Sequence, residues 1–513
     1  MKSESRVHKS LINVKINVLF YIITLFFTFF SRRVFLSYLS ADFVGLAGTF
    51  NNILSFLNLA EFGIGSSIAF FLYKPLQCKD REKISEIISI LGYLYHIIGF
   101  VLLAGGITIS LFFPLMFKDS SMGFGIIYFT FFSFLGSSLI GYFINFRQLL
   151  LTADQKMYIV SAYFQTANIF RSIVQIISAY YLKNLYIWVS IELIFSLLNC
   201  IVLNWRISKE YSWLDTHIKN GKRLLKQYPD ILNKTKQVFI HRIKDFALYK
   251  SDEILVFAFV SLKMVAYYGN YMIIINKINL LINMISDGMA AGIGNLLAEG
   301  DKKNTIKVYW ELNAIRMFLT SIIIFTFICF LDPFIALWVG PEYILNRGIV
   351  SLLLLNLFIY LARGTNEMYI HSFGLFGDTW AAWTELATNL LITFTCAPSF
   401  GLIGILLGKV ISVFGIAILW KPYFLFKKGF NVPVSVYWKQ MLKYYALTLL
   451  PISIFYIPVT RFVVPLIDNF FYLVLYGIPV ITLYTLVCFA IFLIFTTGMK
   501  HFIKRIPFLD KML

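Results

Sequence analysis

The sequence is poor in charge: Asp, Glu, Lys and Arg make up 14% of its 513 residues. Soluble globular chains carry about a quarter, so a string of soluble domains is excluded. Cysteine is sparse and unpatterned. Cys78, Cys200, Cys329, Cys396 and Cys488 form no C-x-x-C spacing, which excludes a disulfide framework and a zinc ribbon. The six histidines are equally scattered, and no H-E-x-x-H, G-x-S-x-G or P-loop pattern occurs, so metalloprotease, hydrolase and nucleotide-binding chemistry lack their residues. No enzyme is expected, and no cofactor or metal site. The excess of 45 Lys+Arg over 26 Asp+Glu gives +19, but there is no soluble basic domain to bring that charge to nucleic acid.

What is abundant is apolar surface, with 59% hydrophobic and 18% aromatic residues and a mean hydropathy of +0.76. The apolar segments are too long and unbroken for outer-membrane strands of about ten alternating residues. At about 20 residues per crossing they predict an all-α integral membrane protein. A window of about 19 residues places helices near 11–31, 43–72, 86–116, 122–152, 157–182, 184–205, 237–262, 266–298, 308–331, 346–371, 378–399, 401–420, 440–463 and 470–498. That is about 14 transmembrane helices. Lys2, Arg6 and Lys9 precede the first run, which reaches Arg32 without a small-residue cleavage site; an uncleaved first span is expected.

Loop charges orient the chain. With both termini in the cytoplasm, the outside loops carry only Arg32, Arg33, Lys118, Lys183, Lys263, Arg347 and Arg461, while inside segments take runs such as Lys79-Asp80-Arg81-Glu82-Lys83 and Lys302-Lys303, as the positive-inside rule requires. The outside loops are all short and leave no room for an extracytoplasmic catalytic domain.

An ungapped self-correspondence runs at an offset of about 221 residues. Val44, Gly48, Phe50, Ile64, Ala69 and Asp80 fall on Val265, Gly269, Tyr271, Ile285, Ala290 and Asp301, and Asp154 matches Asp378 at a nearby offset. Six spans separate equivalent positions, so the copies share one orientation. The expected organisation is a six-helix lobe over 1–205, a basic cytoplasmic linker over 206–236, a second six-helix lobe over 237–430, and two further helices with a basic tail over 431–513. Two lobes related by such a parallel pseudo-repeat suit a rocking transporter.

Charged residues inside the spans each cost about 2.5 to 3.5 kcal/mol in lipid, so they cannot all face it. Lys15, Arg242, Lys244 and Arg316 stand nearest the predicted span ends, where snorkelling is the simplest reading. Arg171 with Gln165 and Gln175, Lys277, and Arg363 with Glu367 lie deeper and are read as walls of a hydrated basic cavity. On the seventh helix, Arg242 and Lys250 stand at i,i+3 from Asp245 and Glu253; they form either ion pairs or further parts of that cavity. Glu61, beside Asn51, Asn52 and Asn58, Asp252, and Glu385 near Asn389 are candidates for H+ or Na+ coupling, with helix packing through the asparagines as the alternative. A basic vestibule in an apolar shell binds a compact anion on a bulky amphiphile, because guanidinium groups in a low-dielectric wall attract phosphate strongly. A lipid-linked diphosphate has that character. The membrane potential favours its export by about 2.3 kcal/mol per charge per 100 mV.

Two blocks carry a family resemblance. The first is Phe43-Val44-Gly45-Leu46, Asn51-Asn52-Ile53-Leu54, Asn58-Leu59-Ala60-Glu61-Phe62-Gly63-Ile64-Gly65 and Leu72-Tyr73-Lys74-Pro75-Leu76; the second runs from His241 to Asp252 and through Ala266-Tyr267-Tyr268-Gly269-Asn270-Tyr271 to Gly294-Asn295-Leu296-Leu297-Ala298-Glu299-Gly300-Asp301. They resemble the bacterial polysaccharide transporters, the O-antigen and capsule repeat-unit flippases of the multidrug, oligosaccharidyl-lipid and polysaccharide exporter superfamily. The resemblance implies two lobes in a V around a central cavity. It also implies an undecaprenyl-diphosphate-linked oligosaccharide as substrate, moved to the periplasmic leaflet of the inner membrane, with membrane lipids, a polysaccharide polymerase and assembly proteins as partners. The extra C-terminal helix pair resembles that of the lipid II flippases, where it helps accommodate the lipid tail. A cation-coupled multidrug exporter of the same superfamily is the alternative, expected to have an acidic or neutral cavity.

Overall fold

The computed structural model describes residues 6–61, 64–118, 120–154, 156–232, 235, 252–298, 300–375 and 377–504. No strand occurs among them. The chain opens with α1 (Arg6–Leu39), α2 (Ala41–Leu57) and α3 (Ile64–Cys78), and continues through α4 (Arg81–Ser110), α5 (Phe124–Phe143), α6 (Met157–Tyr181) and α7 (Leu185–Glu210) to the short α8 (Gly221–Gln227). After residues 236–251 come α9 (Asp252–Phe259), α10 (Leu262–Ala298), α11 (Lys302–Trp338), α12 (Arg347–Ser372), α13 (Thr379–Phe400) and α14 (Leu402–Val413). The last three are α15 (Val434–Pro458), α16 (Phe470–Phe495) and α17 (Thr497–Lys504). Each of the 14 expected spans overlaps described helix. Eight described helices are long and apolar enough to cross a membrane by length and composition alone, so the chain is a multi-pass all-α membrane protein.

The second span is one helix in the sequence pattern and two in the structure. After Leu57 the backbone tightens into a 3-10 turn at Asn58–Glu61, and α3 restarts at Ile64. Asn is a weak helix former that competes for backbone groups. The amides of Asn51 and Asn52 already bond the carbonyls of Ala47 and Gly48, one turn back, at 3.0 and 2.9 Å. The break sets Asn58 and Glu61 at the two ends of a turn instead of burying them in a continuous rod.

The chain forms two compact units, Met1–Ala266 and Tyr267–Leu513. In the first, α4 is the most enclosed helix, with Ile84, Ile87, Ile88, Leu91 and Ile98 packed on Ile68, Leu72, Phe146 and Leu150. A second cluster stacks Phe50, Phe113, Phe117 and Phe131 at centroid distances of 4.9 to 5.6 Å. Gly45 allows the closest approach: a Cβ there would fall on the carbonyl of Leu262. The basic linker is docked on this unit. The hydroxyl of Tyr228 donates to Glu86 at 2.7 Å, the His217 N–H to Ser89 at 2.9 Å, and the Ser67 hydroxyl to the Ile231 carbonyl at 3.1 Å. Burial first, and then the Glu86 carboxylate, push the Tyr228 hydroxyl up to about 12.

In the second unit α15 and α16 pack on α11. Ser321 of α11 shares a 2.6 Å hydrogen bond with Tyr484 and donates to the Thr448 carbonyl, while the rings of Phe325 and Tyr484 stack at 3.8 Å. The opposite faces of α15 and α16 expose Leu442, Leu450, Ile454, Phe471, Ile478 and Leu486, as helices against acyl chains do.

The two sides of the sequence correspondence begin their long helices alike. Asp80 caps α4 by accepting from the Lys83 N–H at 3.1 Å, and Asp301 caps α11 by accepting from the Asn304 N–H at 3.1 Å. The Lys83 N–H holds the Asp80 carboxyl below the usual range. That cap therefore persists above the ordinary carboxylate pKa and is lost as pH falls through the lowered one.

Candidate functional site: two polar cavities

Each unit contains a cavity walled by polar residues at helical spacing. In the first unit the cavity encloses about 260 Å³. Asn51, Ser55 and Asn58 reach it from α2 and the following turn, Asn168 and Arg171 from α6, and Glu192, Ser196 and Asn199 from α7. The i,i+4,i+7 stripes put one polar face of each helix inward. Phe134, Phe164 and Phe195 complete the wall.

Arg171 is ion-paired here: its Nη1 donates to Glu192, whose other oxygen accepts from Gln175 at 3.2 Å. Gln175 also donates to the Trp188 carbonyl. The expected partnership of Arg171 with Gln175 is thus mediated by a carboxylate on α7, and the cavity is charge-matched.

Glu61 sits at the edge of this region in a tyrosine clasp. Tyr95 of α4 donates to one carboxylate oxygen at 2.5 Å and Tyr142 of α5 to the other at 2.7 Å. Tyr142 also lies 3.1 Å from Asn58 Oδ1, which accepts from Ser138 at 3.3 Å. Asn58 and Ser138 line the cavity, so the clasp is joined to it through one amide.

The cavity of the second unit is larger, about 410 Å³, and is lined by Asn283 and Ser286 of α10, Arg316 of α11, and Tyr360, Gly364, Glu367, Met368 and His371 of α12. Arg316 occupies its wall. The guanidinium donates to Ser286 and to the Leu361 carbonyl at 3.4 Å, and lies 4.0 Å from the Met368 sulfur. All three partners are uncharged. It rests against Gly364, where a Cβ would coincide with the guanidinium and force it to move. The carboxylate of this wall, Glu367, pairs instead with Arg363 one turn back, Nε to Oε1 3.2 Å. Arg363 is 4% exposed and packs over the Tyr360 ring at 5.3 Å.

Arg316 corrects the sequence reading. It was placed near a span end and expected to snorkel, but α11 begins at Lys302, six residues before the predicted start, and Arg316 is held well inside the helix. Among the sequence candidates, Arg171 lines the first cavity and Arg363 flanks the second. Lys277 is half-buried on α10 and lines neither. Asp252 is buried at the start of α9 and also lines neither of the two cavities. Its neighbour Glu253 accepts from Asn52 at 2.6 Å. Arg242, Lys244, Asp245 and Lys250 lie outside the described residues, as does the side chain of Lys15.

Glu385 is buried on a helix face that continues into a close helix seam. Glu385, Asn389, Thr393 and Ala397 form a buried stripe on α13. Glycines of α14 close against it: Gly404 against the backbone at Cys396 and Ala397, and Gly408 against Asn389 and Thr393. Lys409, next to Gly408, is buried too.

Neither a protein-family model nor a curated protein sequence matches the chain. Solved structures do. A structure titled "Lipid II flippase MurJ, inward closed conformation" superposes with a TM-score of 0.65 at 18% identity, covering 93% of this chain and 99% of that one. A multidrug resistance MATE family transporter of the MOP superfamily, inward-facing, superposes with a TM-score of 0.55 at 16% identity, covering 79% of this chain and 94% of that one. The fold is that of these transporters. At such identities the likeness concerns the fold alone. The neighbours are transporters and flippases, not enzymes.

Proposed function

We propose that the chain is a flippase that carries a lipid-linked diphosphate oligosaccharide, by alternating access, from the cytoplasmic to the periplasmic leaflet of the bacterial inner membrane, for O-antigen, capsule or exopolysaccharide synthesis. The observation that carries the reading is Arg316. A guanidinium stays charged at any physiological pH and presents donors in a fork that matches phosphate oxygens. Its hydrogen bonds go to uncharged groups, and Glu367, the carboxylate that acts on it through the field, is shared with Arg363. A diphosphate entering the cavity would gain charge-assisted bonds in a low-dielectric wall. The MurJ likeness supports a lipid-linked substrate, and the resemblance of the two sequence blocks supports a polysaccharide precursor in particular. A lipophilic cation, the usual cargo of the multidrug alternative, would meet an arginine there. The polymerase and assembly proteins that take up the product are the expected partners, and both termini are assigned to the cytoplasm.

Deletion of the gene should trap lipid-linked repeat units in the cytoplasmic leaflet and remove surface polysaccharide. Drug sensitivity with normal polysaccharide would instead favour the multidrug exporter.

Glu61 is the proposed coupling group, since two tyrosine donors and an adjoining amide form a site that a proton or Na+ can enter beside a transport cavity. Glu61→Gln is expected to remove the dependence of transport on an imposed pH or Na+ gradient while leaving the potential-driven component. A gradient dependence unchanged in Glu61→Gln would exclude this assignment.

A further inference from the structure

The first unit's cavity differs in kind from the second. Its single arginine is neutralised by Glu192, so the enclosure holds no net charge to offer an anion. What remains is amide and hydroxyl. The amides of Asn168 and Asn199 make no hydrogen bond to any described residue, although they line the cavity on facing helices α6 and α7. Ser137 Oγ and Arg171 Nε, on lining residues, are buried without a hydrogen-bond partner among the described residues. Buried polar atoms in native proteins are nearly always satisfied, so these two buried atoms, with the half-exposed amides of Asn168 and Asn199 beside them, make a wall able to hydrogen-bond a ligand. Each amide offers both donors and an acceptor, and a hydroxyl is likewise both. Phenyl rings of Phe134, Phe164 and Phe195 give the same enclosure apolar walls.

A ligand that suits this wall is uncharged, rich in hydroxyls or acetamido groups, and bears an apolar face. That is a pyranose. Water alone would satisfy the amides but gain nothing from three phenyl rings. A carboxylated sugar would place an unpaired charge beside Glu192, with Arg171 already engaged.

We propose that the first unit's cavity is a binding site for an uncharged sugar residue. Resting on the flippase reading, this divides recognition of the cargo between a sugar site walled by Asn168 and Asn199 and a diphosphate site at Arg316. It also confines the sugar held there to the neutral class.

The test uses full-length protein in nanodiscs and saturation-transfer NMR with soluble probes: glucose, galactose, rhamnose and N-acetylglucosamine, glucuronate as the charged counterpart, and inorganic pyrophosphate. At least one neutral sugar should bind, equally to wild type and Arg316→Ala, and at least tenfold more weakly to Asn168→Leu and Asn199→Leu. Pyrophosphate binding should survive the two asparagine substitutions, which also shows that those variants are folded, and should be lost in Arg316→Ala. The proposal is overturned if no neutral sugar binds, if neither asparagine substitution weakens sugar binding, or if glucuronate binds tightest. Pyrophosphate binding that is absent, or indifferent to Arg316, would count against the flippase reading and leaves the sugar result to be judged by itself.

Discussion

Arg316→Ala is expected to lower transport of the lipid-linked sugar roughly a hundredfold with the protein still inserted. Removing the guanidinium deletes charge-assisted hydrogen bonds to phosphate, worth about 3 kcal/mol in a dry wall, and 1.36 kcal/mol corresponds to a factor of ten. The folded state should tolerate the change, because the partners left behind are the hydroxyl of Ser286, a helix carbonyl at Leu361 and the Met368 sulfur. Arg316→Lys keeps the charge but loses the fork and should retain an intermediate activity. Surface polysaccharide in a complemented deletion strain, with the protein level measured alongside, reads the effect. Wild-type polysaccharide in Arg316→Ala would remove the basis for a diphosphate site there.

The second large effect concerns the Arg363–Glu367 pair. In Arg363→Ala, Glu367 loses its cation while still lining the cavity that holds Arg316. The freed carboxylate, which already acts on Arg316, then neutralises it more fully and repels a diphosphate, so transport should fall at least tenfold. Glu367→Gln in the same chain removes that repulsion, and the double variant should recover most of the loss. Coupled residues are expected to depart from additivity in this way. If Arg363 itself grips the cargo, the double variant will be as poor as Arg363→Ala alone. Part of any drop must be separated from instability, since Arg363 is nearly fully buried; thermal stability of the purified variants makes that separation.

The helical fold was largely readable because bilayer length is a strong, local signal. The break at Asn58–Glu61 was not seen, since a hydropathy window averages over four residues and cannot register a 3-10 turn. The same coarseness misplaced Arg316. Lys302, Lys303 and Lys307 made the start of α11 look like loop, so the arginine seemed about two turns from an interface. The pairing of Arg171 with Glu192 was hidden for a different reason: it joins α6 to α7, and periodicity along one helix says nothing about partners on another. A usable signal was nevertheless present. Asn51, Ser55 and Asn58, then Glu192, Ser196 and Asn199, repeat polar positions at i,i+4,i+7 inside apolar helices, and in a bilayer such a stripe must face protein or water. Reading stripes instead of single charges would have outlined the first cavity.

The assignment of Glu385 shows the limit of composition. A buried carboxylate near an asparagine suits an ion site and a helix seam equally well. The close approach of Gly404 and Gly408 to α13 falls at Asn389, Thr393, Cys396 and Ala397, and so makes a seam of the stripe beyond Glu385.

The most direct test of the account is leaflet exchange in vitro. Purified protein is reconstituted into liposomes containing a fluorescent polyprenyl-diphosphate oligosaccharide, and an impermeant glycosidase added outside reports the fraction of sugar exposed. Wild type should expose the inner pool with time, and Arg316→Ala should leave that pool protected, as in protein-free vesicles. Protection in both, or equal exposure in both, would contradict a flippase whose cargo is gripped at Arg316.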